Sequence, residues 1–192
     1  YGEGGLEWLL QLHFERIAKR WSITMRRAPI FRLILKARYV VLNGTRLLNA
    51  PILVQQIRMR PRLLEELAPK KITMVHGDLH FQNILINTKS NDRYNFILTD
   101  PRGELNGSDF VYDMGKLWHS FHGLYDFMHE DLFDLRMNIS DDGKTIYAEI
   151  MLRDLSAVEE YRKIYGILPG ILRDFAPLNE MDPDWEMRTL FT

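Results

Sequence analysis

Three polar side chains in the middle of the chain have the chemistry to handle a proton and a metal ion. Asp78 and Asn83 lie in the segment His76–Asn83, and Asp100 begins the segment Asp100–Gly103. Phosphoryl transfer needs a carboxylate beside the accepting hydroxyl, together with amide and carboxylate oxygens that bind Mg²⁺ next to the phosphates. The residue types and their spacing therefore indicate phosphoryl-transfer chemistry.

Short apolar runs flank both segments and predict the strands that position them. Ile72–Val75 precedes the first segment, Ile84–Ile86 follows it, and Phe96–Thr99 leads into the second. The polar residues 87–95 predict a turn between the last two strands. The resulting hairpin would bring the three polar side chains to one end of a small sheet.

The pattern His-x-Asp-x-x-x-x-Asn, followed after a hairpin by Asp100, resembles the catalytic core of the aminoglycoside phosphotransferase and choline kinase families, which are relatives of the protein kinases. The resemblance implies that Asp78 is the catalytic base, that Asn83 is a metal ligand and that Asp100 is the main metal ligand. It also implies that His76 supports the catalytic loop instead of reacting, and that ATP and Mg²⁺ are the cofactors.

Departures from the protein kinases favour a small acceptor over a protein. Gly77 stands where many protein kinases have an arginine, and Pro101 stands where they have a phenylalanine that moves on switching. The next helix is predicted to begin near Ser108 or Asp109, which leaves no room for a long activation segment. The resemblance thus implies a small-molecule kinase, with an amino sugar, a sugar or a choline-like alcohol as acceptor.

The helix after the second segment is predicted to be central because it carries apolar residues on two sides. One stripe begins with Phe110 and Met114, and the other begins with Val111 and includes Trp118. By resemblance, Asp113 near the start of this helix matches a buried aspartate that holds the backbone of the catalytic loop. The alternative explanation is an acidic residue that favours a helix N-terminus.

Two other functions are compatible with parts of the pattern. His76, Asp78 and His80 could form the metal cluster of a metal-dependent phosphoesterase. The further ligand motifs of the calcineurin-like phosphoesterases are missing, and the downstream histidines fall on a predicted helix, so this is the minor alternative. The main alternative is a catalytically inactive kinase-like binding or scaffold domain; the presence of all three base and metal positions favours an active enzyme.

The predicted fold is mixed α/β and mostly helical. It corresponds to the C-terminal lobe of a protein kinase-like fold, with small hairpins that carry the catalytic and metal-binding loops. The 192 residues suit one domain. Residues 1–70 form a helical N-terminal part, residues 71–105 form the catalytic and metal-binding hairpin, and residues 106–192 form a helical part with a hairpin near 135–150.

Turn-forming and helix-capping residues predict where several helices and strands begin or end. The helix that begins at Pro29 is predicted to end at the cap Asn43–Gly44, and a later helix is predicted to break at Leu168–Gly170. Asp141–Gly143 predicts the turn of the late hairpin. Asp182–Pro183 predicts an N-cap followed by proline at the first position of the last helix.

No N-terminal lobe that would hold ATP is found in the sequence, because the glycine-rich Gly2–Gly5 lacks a preceding strand and leads into a helix. We therefore expect a fragment of a longer kinase, with weak Mg-ATP binding and no useful turnover on its own. Apolar surface would be exposed where the missing lobe docks, and a homodimer is one way of covering it.

The composition is that of an ordinary soluble protein, with 46% apolar and 27% charged residues. No run reaches the roughly 18 apolar residues of a membrane span, and the absence of cysteine fits the cytoplasm. Residues before His76 carry a net charge of +9 and the remainder carries −10. The basic helices could bind nucleic acid or an anionic membrane, but a solvated helix face is the favoured interpretation, so nucleic acid is not a predicted partner.

Two sets of side chains are candidates for binding the acceptor. Aromatic rings could enclose a quaternary ammonium group, and acidic residues could bind a polycationic aminoglycoside. The favoured interpretation is core aromatics and a hydrated acidic helix end. The aromatic set is Trp118, Phe121, Tyr125, Phe127 and Trp185, and the acidic set is Asp126, Glu130, Asp131 and Asp134.

Overall fold

A computed structural model describes residues 2–89, 92, 95–102 and 108–192 of the chain. The fold is mixed α/β and helices account for 56% of it, which confirms the predicted fold class at that level. The helices are α1 (Gly2–Leu9), α2 (Arg16–Arg27), α3 (Pro29–Lys36), α4 (Ala50–Arg58), α5 (Pro61–Leu67), α6 (Phe110–Phe121), α7 (Tyr125–His129), α8 (Leu155–Asp174), α9 (Ala176–Met181) and α10 (Trp185–Phe191). The strands are β1 (Tyr39–Leu42), β2 (Thr45–Leu48), β3 (Ile84–Ile86), β4 (Phe96–Leu98), β5 (Phe133–Ile139) and β6 (Thr145–Leu152).

The residues group into two compact units. One contains the chain up to Ala68 together with Phe133–Arg153, and the other contains Pro69–Leu132 together with Asp154–Thr192. The first unit combines two separate stretches because β5 and β6 join the sheet that β1 and β2 begin. Within the described ranges, no helix is both long enough and apolar enough to cross a membrane.

The sheet of the first unit has four strands in the order β2-β1-β6-β5. β1 pairs antiparallel with β2 and parallel with β6, whereas β5 and β6 form an antiparallel hairpin. In that hairpin Met137 lies opposite Ala148 and Ile139 lies opposite Ile146, so apolar residues alternate along both strands. Ile146 is buried, so the alternation directs one face of the hairpin towards the interior of the unit.

The prediction that residues 1–70 are helical is wrong in one region, because Asn43 and Gly44 form a hairpin turn between β1 and β2. Both residues have positive φ, 47° and 83°, as a two-residue Asn-Gly hairpin turn requires. Asn43 also joins β6, since its Nδ2 donates to Ile150 O and its Oδ1 accepts from Ile150 N. Asn-Gly therefore connects strands instead of capping α3, which ends earlier, at Lys36.

The core of the second unit is built on α6, as its two apolar stripes predict. The buried cluster consists of Phe110, Val111, Trp118, Phe121, Leu178 and Trp185. α8 continues through Pro169, so the predicted break at Leu168–Gly170 is wrong. Leu168 and Leu172, on either side of the proline, pack against the cluster. Their burial outweighs the ~3 kcal/mol that proline costs inside a helix.

A buried ion group joins α10 to the start of α6. The Arg188 guanidinium donates to the carboxylates of both Asp109 and Asp182, and all three side chains are buried. Asp109 also caps α6, because its Oδ1 accepts from Val111 N at 3.2 Å. Asp182 uses Oδ2 for this ion pair, and its Oδ1 accepts from Asp184 N at 3.0 Å in the turn before α10. The predicted N-cap at Asp182 is nevertheless wrong, because α10 begins later, at Trp185, and its N-cap residue is Asp184.

Replacing Arg188 with methionine should destabilise the protein strongly. The change leaves two buried carboxylates without their cation, and removing one partner of a buried ion group costs about 3–5 kcal/mol. The control is Arg173→Met, which breaks an exposed pair with Glu186 and should change stability little. Urea unfolding followed by tryptophan fluorescence measures both free energies of unfolding. Equal losses in the two variants would contradict the role assigned to Arg188.

Candidate active site

The chain enters the first motif through an extended segment that is bridged to the start of α6. Thr73 N donates to Ser108 O at 2.7 Å, and Ser108 N donates to Thr73 O at 3.1 Å. Residues 72–75 form this isolated bridge and not the strand that the sequence predicts. Because Ser108 lies just before α6, the bridge brings the loop and the helix together at this point.

Asp113, in the first turn of α6, holds the backbone of the first motif. Its Oδ2 accepts from His76 N at 2.6 Å, and its Oδ1 accepts from Gly77 N at 2.8 Å. Burial raises the pKa of the Asp113 carboxyl, and the two N–H donors oppose this rise. Because the carboxylate uses both oxygens, it sets the position and the orientation of the loop. This contact is the one that the resemblance implies for Asp113.

The His76 ring joins the two motifs. Asp78 N donates to its Nδ1 at 3.3 Å, and its Nε2 lies 2.9 Å from Thr99 O, the carbonyl directly before Asp100. Since Nδ1 accepts a hydrogen bond, the proton of the neutral ring belongs on Nε2, which donates to Thr99 O; this tautomer is assigned from the two partners. Both ring nitrogens are engaged, so His76 orients the loop.

Glycine is required at position 77 by conformation and by space. The φ of Gly77 is 81°, in the left-handed region. A Cβ at this position would lie 3.0 Å from Arg102 Cβ. Arg102 is held there because its backbone N donates to His76 O at 2.9 Å. Gly77 therefore allows the second motif to pack against the first.

The hairpin of β3 and β4 carries Asp100 back to Asn83, as the sequence predicts. Just beyond the paired strands, Thr99 N donates to Asn83 O at 3.0 Å. Asn83 ends a 3₁₀ turn, and its Nδ2 donates to Asp78 O at 2.9 Å. Hydrogen bonds thus connect the backbone of Asp78, the side chain of Asn83 and the residue that precedes Asp100.

Asp100 itself is exposed and has a φ of 55°. Few residues other than glycine adopt this left-handed conformation, aspartate is among those that do, and such conformations are common at functional sites. Gly103, the last residue of the second motif, lies outside the described residues. Residues 90, 91, 93 and 94 of the predicted turn lie outside them as well.

Two cations that were not predicted from the sequence pair with Asp78. Lys116 Nζ lies 2.9 Å from its Oδ1, and an Arg102 guanidinium nitrogen lies 3.4 Å from its Oδ2. Partial burial raises the pKa of the Asp78 carboxyl, but the two cations outweigh burial and hold that pKa below its usual range. Lys116 lies one helical turn after Asp113 and shares a face of α6 with it, a spacing that the sequence contains.

The candidate acceptor residues, all of them described, lie in different environments. In the aromatic set, every ring except that of Tyr125 is buried, which agrees with the core interpretation. In the acidic set, Asp126 is buried and accepts from the Tyr161 hydroxyl at 3.0 Å, whereas Asp134 belongs to the first unit and pairs with Arg153. Glu130 and Asp131 are exposed. Four of the five rings are therefore core residues, and the acidic residues of the second unit differ in exposure.

Tyr125 packs in a group of rings next to the first motif. Its ring centroid is 5.6 Å from that of His80 and 4.7 Å from that of His119. His80 Nε2 lies 3.2 Å from Asn83 Nδ2, and His80 Nδ1 is buried with no hydrogen-bond partner among the described residues. Helical spacing could not reveal this group, because it joins a loop residue to residues of α6 and α7.

The described part of the chain has no group of three or more His, Cys, Asp or Glu side chains arranged to hold a metal ion. Both ring nitrogens of His76 are engaged and Asp78 is paired with cations, so the geometry does not favour a phosphoesterase metal cluster. Asn83 uses Nδ2 to hold the loop, which leaves its Oδ1 for a ligand. Asp100 offers a second, exposed set of oxygen atoms.

Gly77→Ala should destabilise the protein. The left-handed conformation costs a residue with a Cβ about 1–2 kcal/mol, and the close approach to Arg102 adds to that cost. The control is Gly166→Ala in α8, where the added Cβ has no described atom within 4 Å other than the adjoining residues and the backbone of its own helix. This change should stabilise by roughly 0.5–1 kcal/mol. Urea unfolding gives the sign of both effects, and a neutral Gly77→Ala would contradict this account of the loop.

Lys116→Gln should raise the pKa of Asp78. The pKa of Asp78 is lower in the folded protein, so the ion pairs with Lys116 and Arg102 stabilise the folded state at pH values above the ordinary carboxyl pKa. This stabilisation is lost as the pH falls through the lowered pKa. Carboxyl ¹³C NMR titration measures the pKa directly. Lys163→Gln, which removes a cation paired with Glu160, is the control and should leave the Asp78 pKa unchanged. An unchanged value in both variants would show that Lys116 does not act on Asp78.

Comparison with known proteins finds no match for this chain: no protein-family model, no curated protein and no solved structure is significantly similar to it. The resemblance to the aminoglycoside phosphotransferase and choline kinase families rests on the two motifs and stays a prediction. The candidate site is therefore defined by its residue pattern and by its own geometry.

Proposed function

We propose that the chain supplies the base and the metal ligands of an ATP- and Mg²⁺-dependent phosphotransferase that acts on a hydroxyl of a small molecule. The observation that carries this proposal is the hydrogen-bonded connection of the two motifs through His76 and Asn83. Such a connection keeps a base and metal ligands in a fixed relation. Positioning is most of what a phosphoryl-transfer enzyme contributes to the rate.

Asp78 accepts the hydrogen bond of the acceptor hydroxyl in this proposal. Its lowered pKa keeps the carboxylate ionised at neutral pH, so it is ready to accept. The low basicity is compatible with the role, because the transition state of phosphoryl transfer is loose and demands little proton transfer before the phosphoryl group moves. Asp78 therefore orients the hydroxyl oxygen and takes its proton late in the reaction.

Asn83 Oδ1 and the Asp100 carboxylate fit Mg²⁺ by the chemistry of their oxygens. Mg²⁺ keeps several water ligands and is usually held by one or two protein side chains together with the phosphates of the substrate, so two protein ligands are sufficient. When bound, Mg-ATP supplies the phosphoryl group and neutralises part of its charge. Asn83 also holds the backbone of Asp78 through its Nδ2, so the ligand and the base are positioned by one side chain.

Lys116 and Arg102 supply positive charge beside the base. Both pair with Asp78, and a phosphoryl group that approaches the acceptor hydroxyl would come near the same two cations. Charges that are already in place where negative charge develops stabilise a transition state at little cost of reorganisation. The two side chains also reduce the repulsion between the Asp78 carboxylate and the phosphate oxygens.

The family resemblance also implies a missing lobe, a class of acceptor and a cellular location. In this proposal residues 1–192 are the C-terminal lobe of a kinase-like enzyme, and an N-terminal lobe of the same polypeptide would hold ATP. The acceptor is an amino sugar, a sugar or a choline-like alcohol. We place the enzyme in the cytoplasm, where ATP is available and where a chain without cysteine needs no disulfides.

A kinase-like binding domain without catalytic activity is the second candidate. The observation that favours it is that both carboxylate oxygens of Asp78 are engaged by cations, which stabilises the loop without any reaction. The two candidates differ in what Asp78 does once Mg-ATP and acceptor are bound. Turnover, and not binding, separates them.

Calorimetric titration with Mg-ATP tests the metal ligands. Asp100→Asn should weaken the affinity by roughly 10-fold or more, because a neutral amide replaces the anionic carboxylate at the metal, whereas Asp78→Asn should leave it unchanged. Asp141→Asn, in the exposed turn between β5 and β6, is the matched control. An unchanged affinity of Asp100→Asn would contradict its role as the main metal ligand.

A transfer assay with Mg-ATP and pooled acceptors tests the reaction; the pool contains amino sugars, choline, ethanolamine, monosaccharides and homoserine. In an enzyme completed by its N-terminal lobe, Asp78→Asn should reduce turnover by about 10²–10⁴. The 192-residue chain alone should transfer no phosphate at a useful rate. Robust turnover by this chain, lost in Asp78→Asn, would overturn the need for a further lobe. Mg-ATP binding without turnover in the completed enzyme would favour the binding domain.

A further inference from the structure

A long stretch of the first unit contains cations and no acidic residue. Residues 16–64 include 12 Lys and Arg and no Asp or Glu. The stretch covers α2, α3, β1, β2, α4 and the start of α5. A solvated helix face normally mixes both signs of charge, which limits the repulsion between neighbours. An uninterrupted excess of positive charge therefore points to a negatively charged partner.

α3 exposes apolar side chains in the middle of this charge. Its half-buried face consists of Phe31, Ile34 and Leu35. Ile30 and Leu33 lie at the edge of that face, where Ile30 is one helical turn from Ile34, and they are 50% and 51% exposed. The apolar face of this amphipathic helix is therefore wider than the part that the unit covers, and its edge is open to solvent.

Cations surround the exposed aliphatic pair. Arg26 and Arg27 lie at the end of α2, immediately before α3, and Lys36 lies one turn after Leu33 on the same face of α3; all three are exposed. Arg32 is excluded from this set because its guanidinium donates to Met25 O. We name Arg26, Arg27, Ile30, Leu33 and Lys36 the basic-apolar surface.

α4, the helix next to α3, also exposes apolar and basic side chains. α3 packs against α2 and against α4. Leu53 of α4 is 46% exposed, and Met59, directly after that helix, is 74% exposed. Arg58 and Arg60 flank Met59 and are exposed as well. Aliphatic and cationic side chains therefore alternate over neighbouring helices of this unit.

We propose that the basic-apolar surface binds peripherally to a membrane that contains anionic lipids. Basic side chains attract the negative headgroups, and aliphatic side chains enter the boundary between headgroups and acyl chains, so a bilayer matches both components at once. A nucleic acid matches the charge alone. Single-stranded nucleic acids stack on exposed rings, whereas the basic-apolar surface contains aliphatic and cationic side chains and no aromatic ring.

Vesicle co-sedimentation of the 192-residue protein tests the proposal. The protein should sediment with vesicles of phosphatidylcholine mixed with phosphatidylglycerol, and should stay in solution with phosphatidylcholine alone. Binding should fall steeply between ~0.1 M and ~1 M salt, because the Debye length shortens from about 10 Å to about 3 Å. The assay involves neither ATP nor an acceptor, so its outcome is independent of the proposed enzymatic function.

Two variants separate the charged and the apolar contributions. Arg26→Gln/Arg27→Gln/Lys36→Gln should weaken binding roughly a hundredfold, at about fivefold for each cation removed near an anionic surface. Ile30→Gln/Leu33→Gln keeps every charge and uses a good helix former, and it should also weaken binding at least about tenfold. The matched controls lie on α8, where Arg162→Gln/Lys163→Gln and Leu155→Gln/Ile171→Gln change exposed residues of the same kinds. Circular dichroism is used to check that all four variants are folded.

The outcomes are decisive in both directions. Loss of binding in the two α2–α3 variants, with both α8 controls unchanged, establishes the surface. Equal loss in the controls, or full binding by Ile30→Gln/Leu33→Gln, would show that only general charge is involved and would overturn the proposal. Failure to bind anionic vesicles also overturns it. A parallel titration with single-stranded and duplex oligonucleotides, read by fluorescence anisotropy, identifies nucleic acid as the partner if those bind and vesicles do not.

Discussion

The two hydrogen bonds from His76 N and Gly77 N to the Asp113 carboxylate are the interaction on which the candidate site depends. They join a loop that has little regular structure of its own to the first turn of the central helix. Since both oxygens of one buried carboxylate are used, the loop can neither rotate nor slide without leaving a buried acceptor unsatisfied. The positions of Asp78 and Asn83 follow from this anchor, because both lie on the loop that it holds.

α6 can serve as the anchor because its own position is fixed from two directions. Its apolar stripes lie in the core of the second unit, and its first residue is tied to α10 through the buried group of Asp109, Asp182 and Arg188. Buried charges are expensive unless they are paired, so this group favours one arrangement of the two helices over others. The same helix carries Lys116 to Asp78. One element therefore provides the support, the orientation and part of the charge of the candidate site.

The two compact units differ in character as well as in architecture. The second unit concentrates the residues that suit phosphoryl transfer, and its acidic balance is offset locally by the cations around Asp78. The first unit presents positive charge and exposed aliphatic side chains, which suit attachment to an anionic surface. We infer that the second unit would carry out the chemistry and that the first unit would bind the protein to an anionic surface.

The sequence by itself determined the local features, because they depend on neighbours along the chain. The β3–β4 hairpin, the β5–β6 hairpin and the start of α6 could be predicted from periodicity, turn residues and capping residues. The dipeptide Asn43–Gly44 is typical of hairpin turns, so the sequence contained the signal for the β1–β2 hairpin. The pairing of β1 with β6 was not visible, because β6 lies about a hundred residues further along the chain. Only the tertiary structure decided the rest. Pro169 stays in α8, where Leu168 and Leu172 pack partly buried against the core. Asp182 is paired with Arg188, and Asp78 is paired with Lys116 and Arg102. In each case the local conformational preference of a residue competes with its interaction with residues distant in sequence. Those distant residues come close only when the chain has folded.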